Sequence, residues 1–258
     1  MTGLLAGLGE LAGIGADLLW AGLVVFLRIG TALSLTPAFG EQVVPVRVRL
    51  AVALAFTLVV APAVTATQDV GQLGLIGLGV EVPVGLMLGI GLRLFVLALQ
   101  MAGAMAAQAT SLAQMFGGTG PEPQPALGNL LVMAGLALAV ALDLHVRLAE
   151  FFLLSYRIFP PGLMPASGDG AAWGVAQVAR AFRLAFSLAA PFTIAALLYN
   201  LALGAINRAM PALMVSFIGA PVLIALGFVL MILALPMLLG LWVQALHGFL
   251  ANPLPVPP

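Results

Sequence analysis

The chain contains no cysteine and no lysine, only two histidines, and few charges of either sign: nine arginines and nine acidic residues among 258. Each shortage excludes a class of protein. Without cysteine there is no disulfide scaffold, no thiol catalysis and no thiolate-bound metal, and two histidines give a His-rich metal centre no material. Charged residues make up 7% of the chain, against roughly 25% in an ordinary soluble domain, too few to clothe a soluble core. The net charge is zero and no run of one sign occurs, so neither a nucleic-acid footprint nor a polybasic lipid-binding tail is available. The motifs G-x-S-x-G, H-E-x-x-H and G-x-x-x-x-G-K-[ST] are absent, which leaves serine hydrolases, zincins and P-loop enzymes unsupported. His145 and His247 read as helix-end residues. No enzyme activity and no cofactor are expected.

What the chain does have is apolar sequence: 63% hydrophobic residues and a mean hydropathy of +1.19. A spanning helix needs about 20 mostly apolar residues, and six such stretches lie between the Pro, Gly and charge clusters. They run near 11–35, 50–64, 73–115, 126–154, 171–203 and 213–250. The fold class is therefore an all-α polytopic membrane protein of long, partly broken helices, treated as one domain over 1–258. The stretch 73–115 is too long for one crossing and is expected to turn or kink around Glu81 to Pro83. Gly and Pro exclude regular structure from 116–125, and the tail 251–258 is too Pro-rich for helix. No arginine precedes Arg28, so the first segment lacks the basic region of a cleaved signal peptide and is expected to be part of the fold. Arg47 and Arg49 suggest a cytoplasmic first loop by the positive-inside bias.

Polar residues inside these stretches carry the functional clues. Glu10, Asp17, Arg28, Glu81, Arg93, Asp143, Arg147, Glu150, Arg180, Arg183 and Arg208 lie in or beside apolar sequence, where an ionised group facing lipid costs several kcal/mol. They should face protein or water, or snorkel at helix ends. Asp143, Arg147 and Glu150 are spaced to satisfy one another along a helix. Arg28, Glu81 and Arg93 have no partner at helical spacing, so their partners must come from other helices or other chains; this points to subunit-interface charges.

A second clue is one polar, small-residue face, Gln100, Ala104, Gln108, Ser111 and Met115, beside a face of Met101, Met105 and Leu112. Two readings stand. The helix packs closely on neighbours with its glutamines bonding across, or it lines an aqueous path with Met115 and Phe116 at the mouth of a deformable loop. Gly85-x-x-x-Gly89 says that helices approach closely.

Three spaced segments then carry a family resemblance. Residues 26–64 contain Arg28, Pro37 and Val44-Pro45-Val46-Arg47-Val48-Arg49; residues 199–224 contain Asn200 to Gly204, Asn207-Arg208, Pro211 and Ile218-Gly219-Ala220-Pro221; between them stands Pro160-Pro161-Gly162. Together these resemble the FliR family of flagellar and virulence type III export apparatuses, in the right order along nearly the whole chain. The loop patterns look closer to flagellar members.

The resemblance implies a non-enzymatic core subunit of an export gate in the bacterial inner membrane at the flagellar basal body. It implies FliP-like and FliQ-like partners in a helical hetero-oligomeric ring, FlhB-like and FlhA-like export components nearby, and unfolded protein substrates in the channel; lipid is a partner and nucleic acid is not. It also implies a pore plug in Ser111 through Pro125. With Gln108, the expected channel-lining and sealing residues are Ser111, Gln114, Met115, Phe116, Gly117, Gly118, Thr119 and Gly120. Two departures stand out: relatives commonly carry an aromatic pair followed by Asp-Pro where this chain has Met115-Phe116-Gly117-Gly118, and Asn-Gly-His where it has Asp143-Leu144-His145. The rival readings are a secondary transporter, for which no internal repeat is found, and a structural membrane subunit without a role in conduction.

Overall fold

A computed structural model of the chain describes residues 2–71, 73–109, 126–209 and 215–254. Among these the regular structure is helical throughout: α1 (Thr2–Leu33), α2 (Val46–Thr65), α3 (Leu75–Ala109), α4 (Ala126–Ala141), α5 (Leu144–Ile158), α6 (Ser167–Ala209) and α7 (Val215–Ala251). Five of them are long and apolar enough to cross a membrane, and the pair α4 and α5 could supply a sixth span if it acts as one. The chain is thus an all-α polytopic membrane protein.

Two expectations change. The stretch 126–154 is not one helix: it ends at Ala141 and restarts at Leu144, with Leu142 and Asp143 between, Asp143 in the left-handed region at φ 59°. Aspartate is one of the few residues that visits this region readily. Its carbonyl then accepts the N–H groups of Val146 and Arg147 at 3.0 and 3.2 Å to begin α5. Conversely, α3 has no turn at Glu81 to Pro83 but runs through Pro83 as helix. Proline removes one backbone donor there, and spanning helices tolerate that loss where neighbouring groups hold the turn; Glu81, two residues before it, is anchored from two directions as described below.

The helices contribute to two compact units. One comprises the described residues of Met1–Arg93, Asp143–Val175 and Phe249–Pro258. Its core is a run of aromatic contacts: Phe39 against Phe56, Phe56 against Phe152, Phe152 against Phe151, Phe151 against Phe249 and Phe249 against Trp173, with ring centroids 5.7–6.5 Å apart. Such offset and edge contacts add to the area these rings bury. The Trp173 indole closes the run by donating to the Pro253 carbonyl at 2.8 Å.

The other unit comprises the described residues of Leu94–Leu142 and Ala176–Gly248. Small residues bring its helices together: Ala98 of α3 packs on Ala181 and Ala185 of α6, with Leu94, Met101, Met105 and Leu184 around them. Trp242 of α7 is fully buried and donates to the Phe95 carbonyl at 2.8 Å, so its one polar atom is satisfied in an apolar setting.

Close approach in the first unit depends on Gly85 and Gly89, which face α1. A Cβ on Gly85 would overlap Thr31 Oγ1 and the Arg28 carbonyl, and one on Gly89 would lie 2.7 Å from the Ala32 carbonyl oxygen. A side chain at Gly79, on the same helix, would meet nothing within 4 Å. Gly85→Ala is therefore expected to destabilise the protein by about 1–3 kcal/mol, while Gly79→Ala is expected to be neutral or slightly stabilising. Thermal unfolding of the detergent-solubilised chain measures both; equal midpoints for the two variants would contradict this packing.

Candidate functional site

The chemically richest cluster lies in the first unit, where Arg28 of α1 meets Glu81 of α3 although both are fully buried. The side chain of Arg28 reaches Glu81 with a forked contact: Nε donates to Oε2 at 2.6 Å and Nη2 to Oε1 at 3.2 Å. Its remaining nitrogen, Nη1, donates to the carbonyls of Ser155 and Phe159 at 3.2 and 2.8 Å. Ser155 is in the last turn of α5 and its carbonyl also accepts the Phe159 N–H, while Phe159 caps the helix; carbonyls at this end carry partial negative charge and favour a cation. The guanidinium carbon also stands 3.8 Å from the centroid of the Tyr156 ring, close enough for a desolvated cation–π contact.

Glu81 is satisfied from a second side. The backbone N–H of Gly162 donates to Glu81 Oε1 at 2.9 Å. Gly162 has φ +75°, and its Cα comes within 3.6 Å of a Cβ built on Gly77, one turn before Glu81. A side chain at 162 would be strained in that conformation and would meet Leu73, so the Pro160-Pro161-Gly162 turn is shaped to bring a backbone donor onto the carboxylate. A buried ion pair is worth its desolvation only when every remaining donor and acceptor is engaged. Here each guanidinium nitrogen and each carboxylate oxygen has a partner.

A smaller polar centre sits in the same unit. Arg93 Nη1 pairs with Glu41 Oε1 at 2.7 Å, both side chains being partly exposed. Glu41 belongs to the loop between α1 and α2, and Arg49 holds that loop by donating from Nη2 to the Glu41 and Val44 carbonyls at 3.1 and 3.4 Å. The backbone turns tightly just before, at Gly40, where a Cβ would lie 2.6 Å from the Ser34 carbonyl oxygen.

The three charges without a partner at helical spacing find one elsewhere in the chain: the fold joins Arg28 to Glu81 and Arg93 to Glu41, 53 and 52 positions apart. Glu41, Tyr156 and Gly162 were missing from the sequence-based site. The first lies in a loop outside the apolar stretches, and the others act through a ring face and a backbone N–H. The expected local pairing of Asp143, Arg147 and Glu150 is not among the ion pairs of the described residues, and all three are exposed.

Of the expected channel residues, Gln108 is exposed near the end of α3. Ser111, Gln114, Met115, Phe116, Gly117, Gly118, Thr119 and Gly120 lie outside the described residues. On the adjacent face, Met101 and Met105 are partly buried against the α3–α6 alanine cluster, so this part of the helix is a packing face.

A model of the family described as "Bacterial export proteins, family 1" matches residues 19–249. The chain belongs to this family. Curated relatives called flagellar biosynthetic protein FliR align along most of their length. That of Caulobacter vibrioides is 36% identical over 225 residues, 85% of this chain and 90% of its own. That of Escherichia coli is 27% identical over 82% and 83%, and that of Bacillus subtilis 26% identical over 85% and 87%. Arg28, Glu81, Tyr156 and Gly162 all fall within the matched range, so the buried centre is built from the FliR-family part of the chain.

Removing one member of the centre should reveal its energetics. Arg28→Ala leaves a buried carboxylate and is expected to cost on the order of 3–5 kcal/mol. The double variant Arg28→Met/Glu81→Met is expected to be more stable than either single variant. Arg93→Gln breaks a partly exposed pair and is expected to cost about 1 kcal/mol or less. Unfolding midpoints in detergent check these variants; additive losses in the double variant would refute the pairing.

Proposed function

We propose that the chain is a core subunit of a flagellar type III export gate in the bacterial inner membrane. In this reading it forms a helical ring with FliP-like and FliQ-like subunits around a channel for unfolded protein, with FlhB-like and FlhA-like components alongside. The observation that carries the reading is the end-to-end similarity to a FliR protein, 36% identical over 90% of that relative's length. Five or six apolar helices fit a subunit embedded in a membrane assembly.

The segment Ser111 to Pro125 is assigned as the plug of the closed channel, with Gln108 at its approach. Gly117, Gly118 and Gly120 would give the backbone the freedom to move aside for a substrate, and Met115 and Phe116 would supply the apolar seal. The rival transporter reading loses its main resource. A substrate site needs polar groups with free valences, whereas Arg28 and Glu81 spend theirs on each other and on backbone groups.

Two measurements bear on this. Co-expressed with its FliP-like and FliQ-like neighbours and extracted gently, the chain is expected in one copy within a discrete hetero-oligomer by native mass spectrometry; a monomer or homodimer that ignores those partners would overturn the proposal. Deletion of Gly117 to Gly120 is expected to make the closed complex conduct ions in planar bilayers, and unchanged conductance would remove the plug assignment.

A further inference from the structure

The two arginines in the middle of α6 have a setting unlike that of Arg28. The helix has 43 residues, about 64 Å at 1.5 Å per residue. A bilayer is only about 40–45 Å thick with its headgroups and about 30 Å in its hydrocarbon. Part of α6 therefore lies beyond the hydrocarbon, and its charges indicate which part. Asp169, Arg180 and Arg183 precede a run, 184–207, that holds no Asp, Glu, His, Lys or Arg, and Arg208 follows it. From Arg183 to Arg208 is about 37 Å along the axis, between the thickness of the hydrocarbon and that of the whole bilayer.

The outward face of this run is apolar: Phe186, Ile194, Leu197 and Leu201 are each about three-fifths exposed. The hydroxyls of Ser187 and Thr193 are spent on their own helix's backbone, Ser187 donating to the Arg183 carbonyl and Thr193 to those of Ala189 and Ala190. Asn200 is the exposed amide among its described side chains. Arg183 is exposed and Arg180 partly so. Neither makes a hydrogen bond or ion pair among the described residues, so neither cation is neutralised there.

We propose that Arg180 and Arg183 bind phospholipid phosphate and mark one edge of the bilayer, with Arg208 at the other. The guanidinium fork matches phosphate oxygens two at a time, and an arginine three residues from another can serve the same or an adjacent headgroup. A carboxylate from a neighbouring subunit could also neutralise them. That alternative gives no reason for a charge-free run of bilayer length ending in another arginine. The segment of α6 before Arg180 then lies outside the hydrocarbon.

The cysteine-free chain suits a depth measurement. Single spin labels introduced by Val175→Cys, Val178→Cys, Phe186→Cys, Ile194→Cys, Leu197→Cys and Leu201→Cys would be read in the full chain. The vesicles are of phosphatidylethanolamine and phosphatidylglycerol, with oxygen and a water-soluble nickel chelate as collision probes. Oxygen access relative to nickel is expected to peak at 194–197 and to fall to aqueous values at 175 and 178. Nickel access along the whole face, or shielding from both probes by a protein partner, would overturn the proposal.

Phosphatidylglycerol retained through native mass spectrometry is expected to fall several-fold in Arg180→Gln/Arg183→Gln, and undiminished retention would remove the phosphate site. The depth profile does not depend on the gate reading. If it holds while the chain ignores FliP-like and FliQ-like subunits, only the gate reading fails.

Discussion

A charge pair that no water reaches sets the geometry of the first unit. In an apolar interior the desolvation of Arg28 and Glu81 is recovered only if their donors and acceptors are all met. That requirement recruits four pieces of chain: α1 for the arginine, α3 for the carboxylate, the end of α5 for two carbonyls, and the turn at Gly162 for an N–H. Moving any of them by an ångström or two leaves a buried polar group unpaired. The glycine at 85 belongs to the same device. It lies one turn from Glu81 and abuts the Arg28 carbonyl, so the close approach of the helices and the reach of the arginine are one geometric condition.

The second unit solves its packing without an ion pair among the described residues. Alanines let α3 and α6 approach, methionines pack beside them as adaptable gap-fillers, and a single indole N–H ties α7 to a backbone carbonyl of α3. Helices in lipid gain little from hydrophobic burial against one another, so small residues and a few hydrogen bonds must supply the specificity. Directional polar groups fix the register in one unit; shape fixes it in the other.

This division explains what could be read from the sequence. Hydropathy located α1, α2, α3, α6 and α7, with α1 beginning well before its expected start and α6 ending beyond its expected end, because burial in protein or lipid leaves the same apolar signature. The break at Asp143 left no such signature: it depends on one residue adopting a positive φ, and the charges that follow, Arg147 and Glu150, are spaced as on one continuous helix. The turn expected at Pro83 came from weighing local propensity without the tertiary anchor on Glu81. The buried centre was half legible. Arg28 and Glu81 stood out as charges in the wrong solvent, but pairing across 53 residues cannot be read from helical spacing, and Glu41 drew no notice because it sits in a loop. Ring faces and backbone donors, the contributions of Tyr156 and Gly162, carry no compositional signal.

The same contrast decides which charges can report position in a membrane. A charge neutralised inside the protein, as Arg28 is by Glu81 and Arg93 by Glu41, can sit at any depth the fold requires, because most of its cost is met locally. It says nothing about where the bilayer begins. A charge with no internal partner must be met by whatever surrounds the protein, and hydrocarbon cannot meet it. The apolar lengths of α3, α6 and α7, at 35, 43 and 37 residues, all exceed one crossing, so hydropathy alone does not place them. Charges with no partner among the described residues carry more information, and on the proposed reading Arg180, Arg183 and Arg208 say more about the boundary of α6 than the hydrophobic residues between them.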